Sequence, residues 1–405
     1  MHKKQLLLIV AAILTTALPT SVLGTGQQEG AEGEVIKIGA LVPLTGEFAR
    51  LGQLVHNGYE LWAQEVNALG GIRVGNRRFP VHMVYYDDTS DAQTSARLTE
   101  RLITEDGVDF LLGPFGSRAT LVTTAVAEEY DMITVAPLAN ADGIYDRGFR
   151  NVFGVLAPAE LILVSFIDML DAMTPRPDRL AVITPNSPFS TTVAAGARDH
   201  AESRGFEVVF FEEYAAGNRN LAATILKVTE SGADALVGSG SLQDSILTVR
   251  HLEEQDADLM ALGFIAGPEL LEFRSNLGAA AEQVYGVAWW MPEMSYSGPL
   301  FGSAVDYAVL YAEAFGEGPT YHSAAASQSA LLLQLAIEEA GTIHTGPVRE
   351  ALRAYSGTTF WGPTRWDRRG QNVGGATVTF QIQNDEIVTV WPREAAWAEA
   401  DHPAR

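Results

Sequence analysis

The 405-residue sequence contains no cysteine, and that absence removes thiol nucleophiles, iron–sulfur clusters, Cys-based zinc sites and disulfides together. Positive charge is scarce as well. Against 50 Asp and Glu stand 27 Lys and Arg, a formal net charge of -23, so the field of the whole molecule repels a polyphosphate backbone and no nucleic-acid partner is expected. Also missing are a GxSxG nucleophile elbow, HExxH, GxxxxGK[ST], and GxGxxG after a strand. The eight histidines are scattered, with His200 and His251 on expected helix surfaces, so neither a metal cluster nor a cofactor is expected. Acidic pairs such as Asp87-Asp88 and Glu253-Glu254 read as solvated or capping residues in so acidic a chain, not as acid–base machinery.

What is present suits a folded protein of two or three domains: 47% hydrophobic residues, with 38 glycines and 18 prolines and no low-complexity bias. Residues 1–24 are expected to be a cleaved secretory signal peptide, because Lys3 and Lys4 precede an apolar run that Thr15, Thr16 and Pro19 break before it reaches the ~20 residues of a membrane span. Thr25 stands where lipid attachment would need a cysteine. Residues 25–34 read as a polar, glycine-rich linker, and structure is expected from Val35.

From there apolar, β-rich runs alternate with helical-period stretches. A strand over 35–42 precedes a helix with the apolar face Phe48, Leu51, Val55, Tyr59, Trp62, Val66 and Leu69; strands at 81–86, 110–113 and 132–136 flank helices at 93–105 and 119–129. After a break near 151–158 and a helix over 159–173, a second series opens, with strands at 180–184, 207–211, 235–238, 260–265 and 284–290. Such alternation predicts an α/β fold of two Rossmann-like, doubly wound lobes. Helices at 301–315, 324–340 and 348–355, then strands at 377–383 and 387–391, form a tail that pattern alone does not apportion.

In open α/β sheets ligands bind beyond the carboxyl ends of strands, which directs attention to loops 43–48, 114–118 and 137–142 in the first series and 185–190, 239–243 and 266–270 in the second. Ser117 stands at a helix start. It reads either as the cap of that helix or as part of an anion site that uses the helix's unpaired N–H groups.

The segments IKIGALVPLTGEFARLG, NALGGI, YYDDTSDAQ, GPFGS and YSGTTFWGPTRWDRRGQN resemble the periplasmic leucine/isoleucine/valine-binding proteins of ABC transporters, within the branched-chain amino acid and amide group of the type I periplasmic-binding fold. The similarity runs from about Val35 to Pro392. It implies two lobes joined by three crossover segments, near 153–158, 287–293 and 359–365, so that 35–155 plus 290–360 form the N-terminal lobe, 156–289 plus 361–392 the C-terminal lobe, and 393–405 a tail.

Residue by residue, the resemblance implies that Ser117 binds a ligand carboxylate, and that Leu138 and Asn140 match the pair whose carbonyl and hydroxyl hold ammonium and carboxylate, with Asn in place of Thr. Phe189 and Ser241 fall where the leucine-type proteins carry tyrosines; Leu51, Phe115 and Tyr321 fall around the side-chain pocket, where core packing is the competing reading. Ser90 and Gly116 occupy the positions of the family's disulfide cysteines, consistent with a chain that lacks the bridge, and Gly116 is counted with the ligand-binding residues. The family's ammonium-binding glutamate aligns near Ala266, leaving Glu269 as substitute, with Trp290 a cation-π candidate. If Glu269 reaches the cleft, α-amino acids are expected; if it points to solvent, carboxylates or amides without the ammonium. The implied function is a non-enzymatic, periplasmic or extracellular receptor, monomeric, whose partners are a small ligand and a membrane ABC permease. A ligand sensor of the same fold and a secreted serine hydrolase using Ser117 are the rivals.

Overall fold

A computed structural model describes residues 35–393 and 396–401; the expected signal peptide and linker lie outside the described residues. Strand β1 (Ile36–Val42) is apolar and buried apart from the partly exposed Lys37 near its start, as a parallel strand covered on both faces requires. It leads to α1 (Ala49–Ala68), which buries Leu54, Val55, Tyr59, Trp62 and Val66. A small hairpin, β2 (Ile72–Val74) and β3 (Arg77–Phe79), precedes β4 (Val81–Asp87), α2 (Ala92–Thr104), β5 (Phe110–Leu112), α3 (Ser117–Glu129), β6 (Thr134–Ala136), α4 (Asp142–Tyr145) and β7 (Val152–Gly154). These strands make a five-stranded parallel sheet of order β4-β1-β5-β6-β7.

The second series is α5 (Val164–Ala172), β8 (Arg179–Pro185), α6 (Pro188–Ser203), β9 (Glu207–Tyr214), α7 (Ala222–Ser231), β10 (Ala235–Gly238), α8 (Leu242–Glu254), β11 (Ala261–Phe264), α9 (Leu271–Leu277) and β12 (Tyr285–Ala288). Its strands repeat the same winding, β9-β8-β10-β11-β12, all parallel. The chain then leaves through a two-residue ladder, β13 (Ser297–Gly298) and β14 (Gly302–Ser303), and three helices, α10 (Ala304–Phe315), α11 (Tyr321–Ala340) and α12 (Thr345–Ala354). Of these, α10 and α11 pack on α1 of the first lobe. Gly58 allows the α1–α11 approach, since a Cβ there would strike the Ser323 carbonyl, and Ser327 Oγ donates to the Gly58 carbonyl at 2.6 Å. A hairpin, β15 (Ser356–Thr359) and β16 (Gly362–Arg365), returns the chain to the second sheet, which β17 (Val378–Gln383) and β18 (Glu386–Trp391) extend antiparallel from β12.

The chain therefore passes between the sheets three times: after β7, after β12 and through the β15–β16 hairpin, which spans the boundary expected at 360/361. These passages bond to one another. Trp366 Nε1 donates to the Gly154 carbonyl (2.7 Å), Asn372 Nδ2 to Val155 (2.7 Å) and Trp290 Nε1 to Phe360 (3.0 Å). Two local expectations fail here. The helix expected over 159–173 is split into a 3-10 turn (Ala159–Leu161) and α5, because the first passage must turn where the Ala159 N–H bonds the Asn140 carbonyl. The strand expected through Trp290 stops at Ala288, where the chain leaves the sheet.

Candidate functional site

A cavity of about 340 Å³ lies where the carboxyl ends of β1, β5 and β6 face those of β8, β10 and β11. All ten residues singled out from the sequence border it. Leu51, Phe115, Gly116, Ser117, Leu138, Asn140 and Tyr321 come from the first lobe and its returning helix, and Phe189, Ser241 and Glu269 from the second. Sharing one cavity does not give them one role, and their hydrogen bonds separate them.

Ser117 is not a cap. Gly116 occupies the N-cap of α3 with φ 86°, a left-handed conformation open to glycine and strained for cysteine, and Ser117 is the first helical residue. The buried Ser117 hydroxyl accepts the Ala141 N–H at 3.3 Å, and no imidazole is hydrogen-bonded to it among the described residues. No side chain caps α3, so the N–H groups of its first turn have neither an i-4 carbonyl nor a capping oxygen, and the positive end of the helix dipole borders the cavity. Across the cleft two of the helices that meet the cavity are closed off, Ser187 capping α6 and Ser241 capping α8 in a reciprocal box with Asp244, while the short α9 starts behind Leu270 without a side-chain cap. The Ser241 hydroxyl donates to Asp244 Oδ2 at 2.7 Å, which commits it to the cap. Ser90 holds the loop before α1, donating to the Thr45 carbonyl (2.8 Å) and accepting from Phe48 N (3.1 Å).

The Leu138 carbonyl accepts the Gly116 N–H at 3.2 Å and keeps a second lone pair. Asn140 Nδ2 donates to the Ala157 carbonyl at 2.6 Å; a carbonyl cannot donate, so the orientation of the amide is fixed. Its Oδ1 is buried without a hydrogen-bond partner. The spare atom of Asn140 is thus an acceptor, which shifts this residue away from the carboxylate-holding part that the resemblance implied.

Glu269 reaches the cleft. It is 8% exposed, and neither carboxylate oxygen has a hydrogen-bond partner. Burial pushes its pKa up to about 7; the backbone N–H groups of Glu269 and Gly267, near enough to be felt by the carboxylate but short of hydrogen-bond geometry, lower it in part, and Glu272 raises it. Tyr321 lies within electrostatic reach of this carboxylate, and burial, then Glu269, holds its phenol well above the usual range. Trp290 is a correction: it borders no part of the cavity, packing edge-on against Tyr307 and Phe360, whereas its neighbour Trp289 lines the site.

Sequence reasoning passed over Phe48 as a ligand contact, Asp88, Trp289 and His322, all of which border the cavity. Asp88 is buried beneath the loop after β4, its pKa raised by burial although Ser95 Oγ (2.9 Å) and Ser90 N (3.0 Å) donate to it. His322 is held neutral, its pKa pushed down to about 3 by burial and secondarily by Arg50. Its signal was local: Thr320 caps α11, accepting from His322 N at 3.3 Å, so the helix begins three residues before the expected 324 and brings Tyr321 and His322 into its first turn.

The family model for periplasmic binding proteins matches residues 35–386. The chain is 25% identical to a Leu/Ile/Val-binding protein homolog of Brucella suis, over all of both chains. In fold it is similar to the substrate-binding protein of a branched-chain amino acid transporter from Streptococcus pneumoniae, solved with isoleucine (TM-score 0.77, 21% identity, 91% of this chain and 100% of that one). It is similar also to a solute-binding protein of an ABC transporter from R. palustris, solved with benzoate (TM-score 0.74, 19% identity, 91% and 99%). With two identically wound sheets, three passages between them and a cavity at the facing strand ends, the chain belongs to the periplasmic binding protein family.

Proposed function

We propose that the protein is a non-enzymatic, extracytoplasmic solute receptor of an ABC importer, working as a monomer in the periplasm or outside the cell, that closes two lobes over a small amino acid-like ligand: a branched-chain amino acid or a related amide or carboxylate. The moving bodies are 35–155 with 290–360 and 156–289 with 361–392, and the closed form is what the membrane permease reads. One observation carries the reading. An uncapped helix N-terminus on the first lobe and an unpartnered buried carboxylate on the second border one cavity, so each wall lacks the charge the other end of an amino acid brings. Ser117 and the first turn of α3 take the carboxylate; Glu269, with the spare acceptors of Leu138 and Asn140, takes the ammonium. The relatives named for Leu, Ile and Val, and the neighbour solved with isoleucine, agree with that ligand class.

After the costs of desolvation and ordering, a dissociation constant around micromolar, roughly -8 kcal/mol, is expected. The test is a thermal-shift screen of residues 25–405 against amino acids, their amides and their deaminated analogues, because a ligand that binds only the native state raises the melting temperature. Amino acids should raise it and the deaminated analogues should not. Shifts from the analogues alone would overturn the assignment to Glu269.

A further inference from the structure

Within this reading, on which the following rests, the walls of the cavity also bear on the side chain of the ligand. The first lobe presents a continuous row of rings. Phe48 lies 5.3 Å from Phe115, Phe115 lies 5.9 Å from His322, and His322 stacks on Tyr321 at 4.0 Å with planes 27° apart. All four border the cavity. Phe48 and Phe115, with Phe189 opposite, are only partly buried, so apolar ring surface remains open at the cleft where a ring in the core would be covered. His322 adds a π-face and no positive charge, since its ring is neutral and its Nδ1 is within hydrogen-bond distance of the Thr320 hydroxyl (3.2 Å). A carboxylate would find no positive charge along this row, and a branched aliphatic group would cover it without using its quadrupoles.

We propose that the preferred ligand is an α-amino acid with an aromatic side chain, its ring packed on the Phe48–Phe115–His322–Tyr321 row and its ammonium directed to Glu269. The cavity, about 340 Å³ and lined from both lobes, has room for a ring as well as the amino acid head. Offset and edge-on ring pairs favour a ring over an aliphatic group of similar area by roughly tenfold for one or two such contacts.

Titration calorimetry on the wild-type protein compares phenylalanine, tyrosine and tryptophan with leucine, isoleucine and valine, and adds 3-phenylpropionate and benzoate, which carry the ring and carboxylate without the ammonium. Phenylalanine is expected to bind at least tenfold tighter than leucine, and the ratio should fall severalfold in Phe115→Leu, a change at a partly exposed position whose folding circular dichroism checks. Leucine binding as tightly as phenylalanine would overturn the aromatic preference and leave the receptor reading standing. Ring acids binding tighter than phenylalanine would overturn the amino acid. Silence from the whole panel would overturn both this inference and the receptor reading.

Discussion

The two walls of the cleft are built on the same winding and finished in opposite ways. On the first, α3 is left uncapped behind a glycine, so its N–H groups stay open; on the second, Ser187 and Ser241 close α6 and α8, and the charged group left unpaired is the carboxylate of Glu269, with the Trp289 indole N–H also unpartnered. One topology can therefore supply either donors or acceptors, depending on which helix starts are capped and which buried side chains are left without partners. A dipolar ligand fits between walls so finished.

The comparison breaks most visibly at Glu269. Glu269→Gln should weaken amino acid binding by about 3 to 5 kcal/mol, the cost of leaving the ammonium buried without its counter-charge. The same substitution should leave binding of deaminated analogues unchanged or improved, and calorimetry on the two ligand classes reads both effects. An equal loss for both classes would assign Glu269 to structure alone.

Next in size is the pH dependence of the ligand-free protein. With the Glu269 pKa near 7 in the folded state, against the ordinary carboxylate value near 4.3, the folded form holds a proton that the unfolded form releases. Its contribution to stability is present below about pH 4, is lost as pH rises toward 7, and amounts to roughly 3 to 4 kcal/mol. Denaturant titrations across pH 4.5–8 should show this slope in the wild type and its absence in Glu269→Gln. Amino acid affinity should move the other way, rising toward pH 7 and then levelling, because the ammonium selects the ionised carboxylate.

On the opposite wall, Ser117→Ala should weaken binding by about 1.5 to 3 kcal/mol, the size of a hydrogen bond to a charged group. Since Ser117 is not the cap of α3, its melting temperature without ligand should hardly move. Unchanged affinity with lowered stability would reverse the contrast between the walls.

The smallest effect concerns what holds the walls together. Arg50 on α1 bonds Glu317 beyond α10 (3.0 Å) and reaches across to Glu272 on α9 (2.9 Å). The bridge to Glu272 is more than a third exposed on each side, so Arg50→Ala should cost under about 1 kcal/mol of affinity, fading further in salt. X-ray scattering should show the radius of gyration shrinking on ligand addition in both proteins, with the variant more open beforehand.

The alternation of apolar runs made the two sheets legible, and the loops after their strands led to the cavity, because in this topology position along a strand decides position in the cleft. Less legible were side-chain commitments. Ser117 and Ser241 look alike in sequence, yet one is free of capping and the other tied to Asp244, a difference set by where each helix begins. Trp289 and Trp290 are adjacent, and only the departure of the chain from the sheet after Ala288 decides which of them meets the ligand. Asn140 is a donor or an acceptor according to the distant Ala157 carbonyl.

The three passages between sheets also govern how the chain is made. The first lobe draws α10 and α11 from beyond residue 300, and the second takes β17 and β18 from beyond 377 to cover the edge of β12. Neither lobe is a continuous stretch that can finish as it emerges. Pairings separated by about a hundred residues close late and slowly, during which the edge of β12 stays open to misassociation. A nascent chain of this design benefits from being kept unfolded until it is whole, and truncation at either lobe boundary would yield aggregates in place of half-receptors.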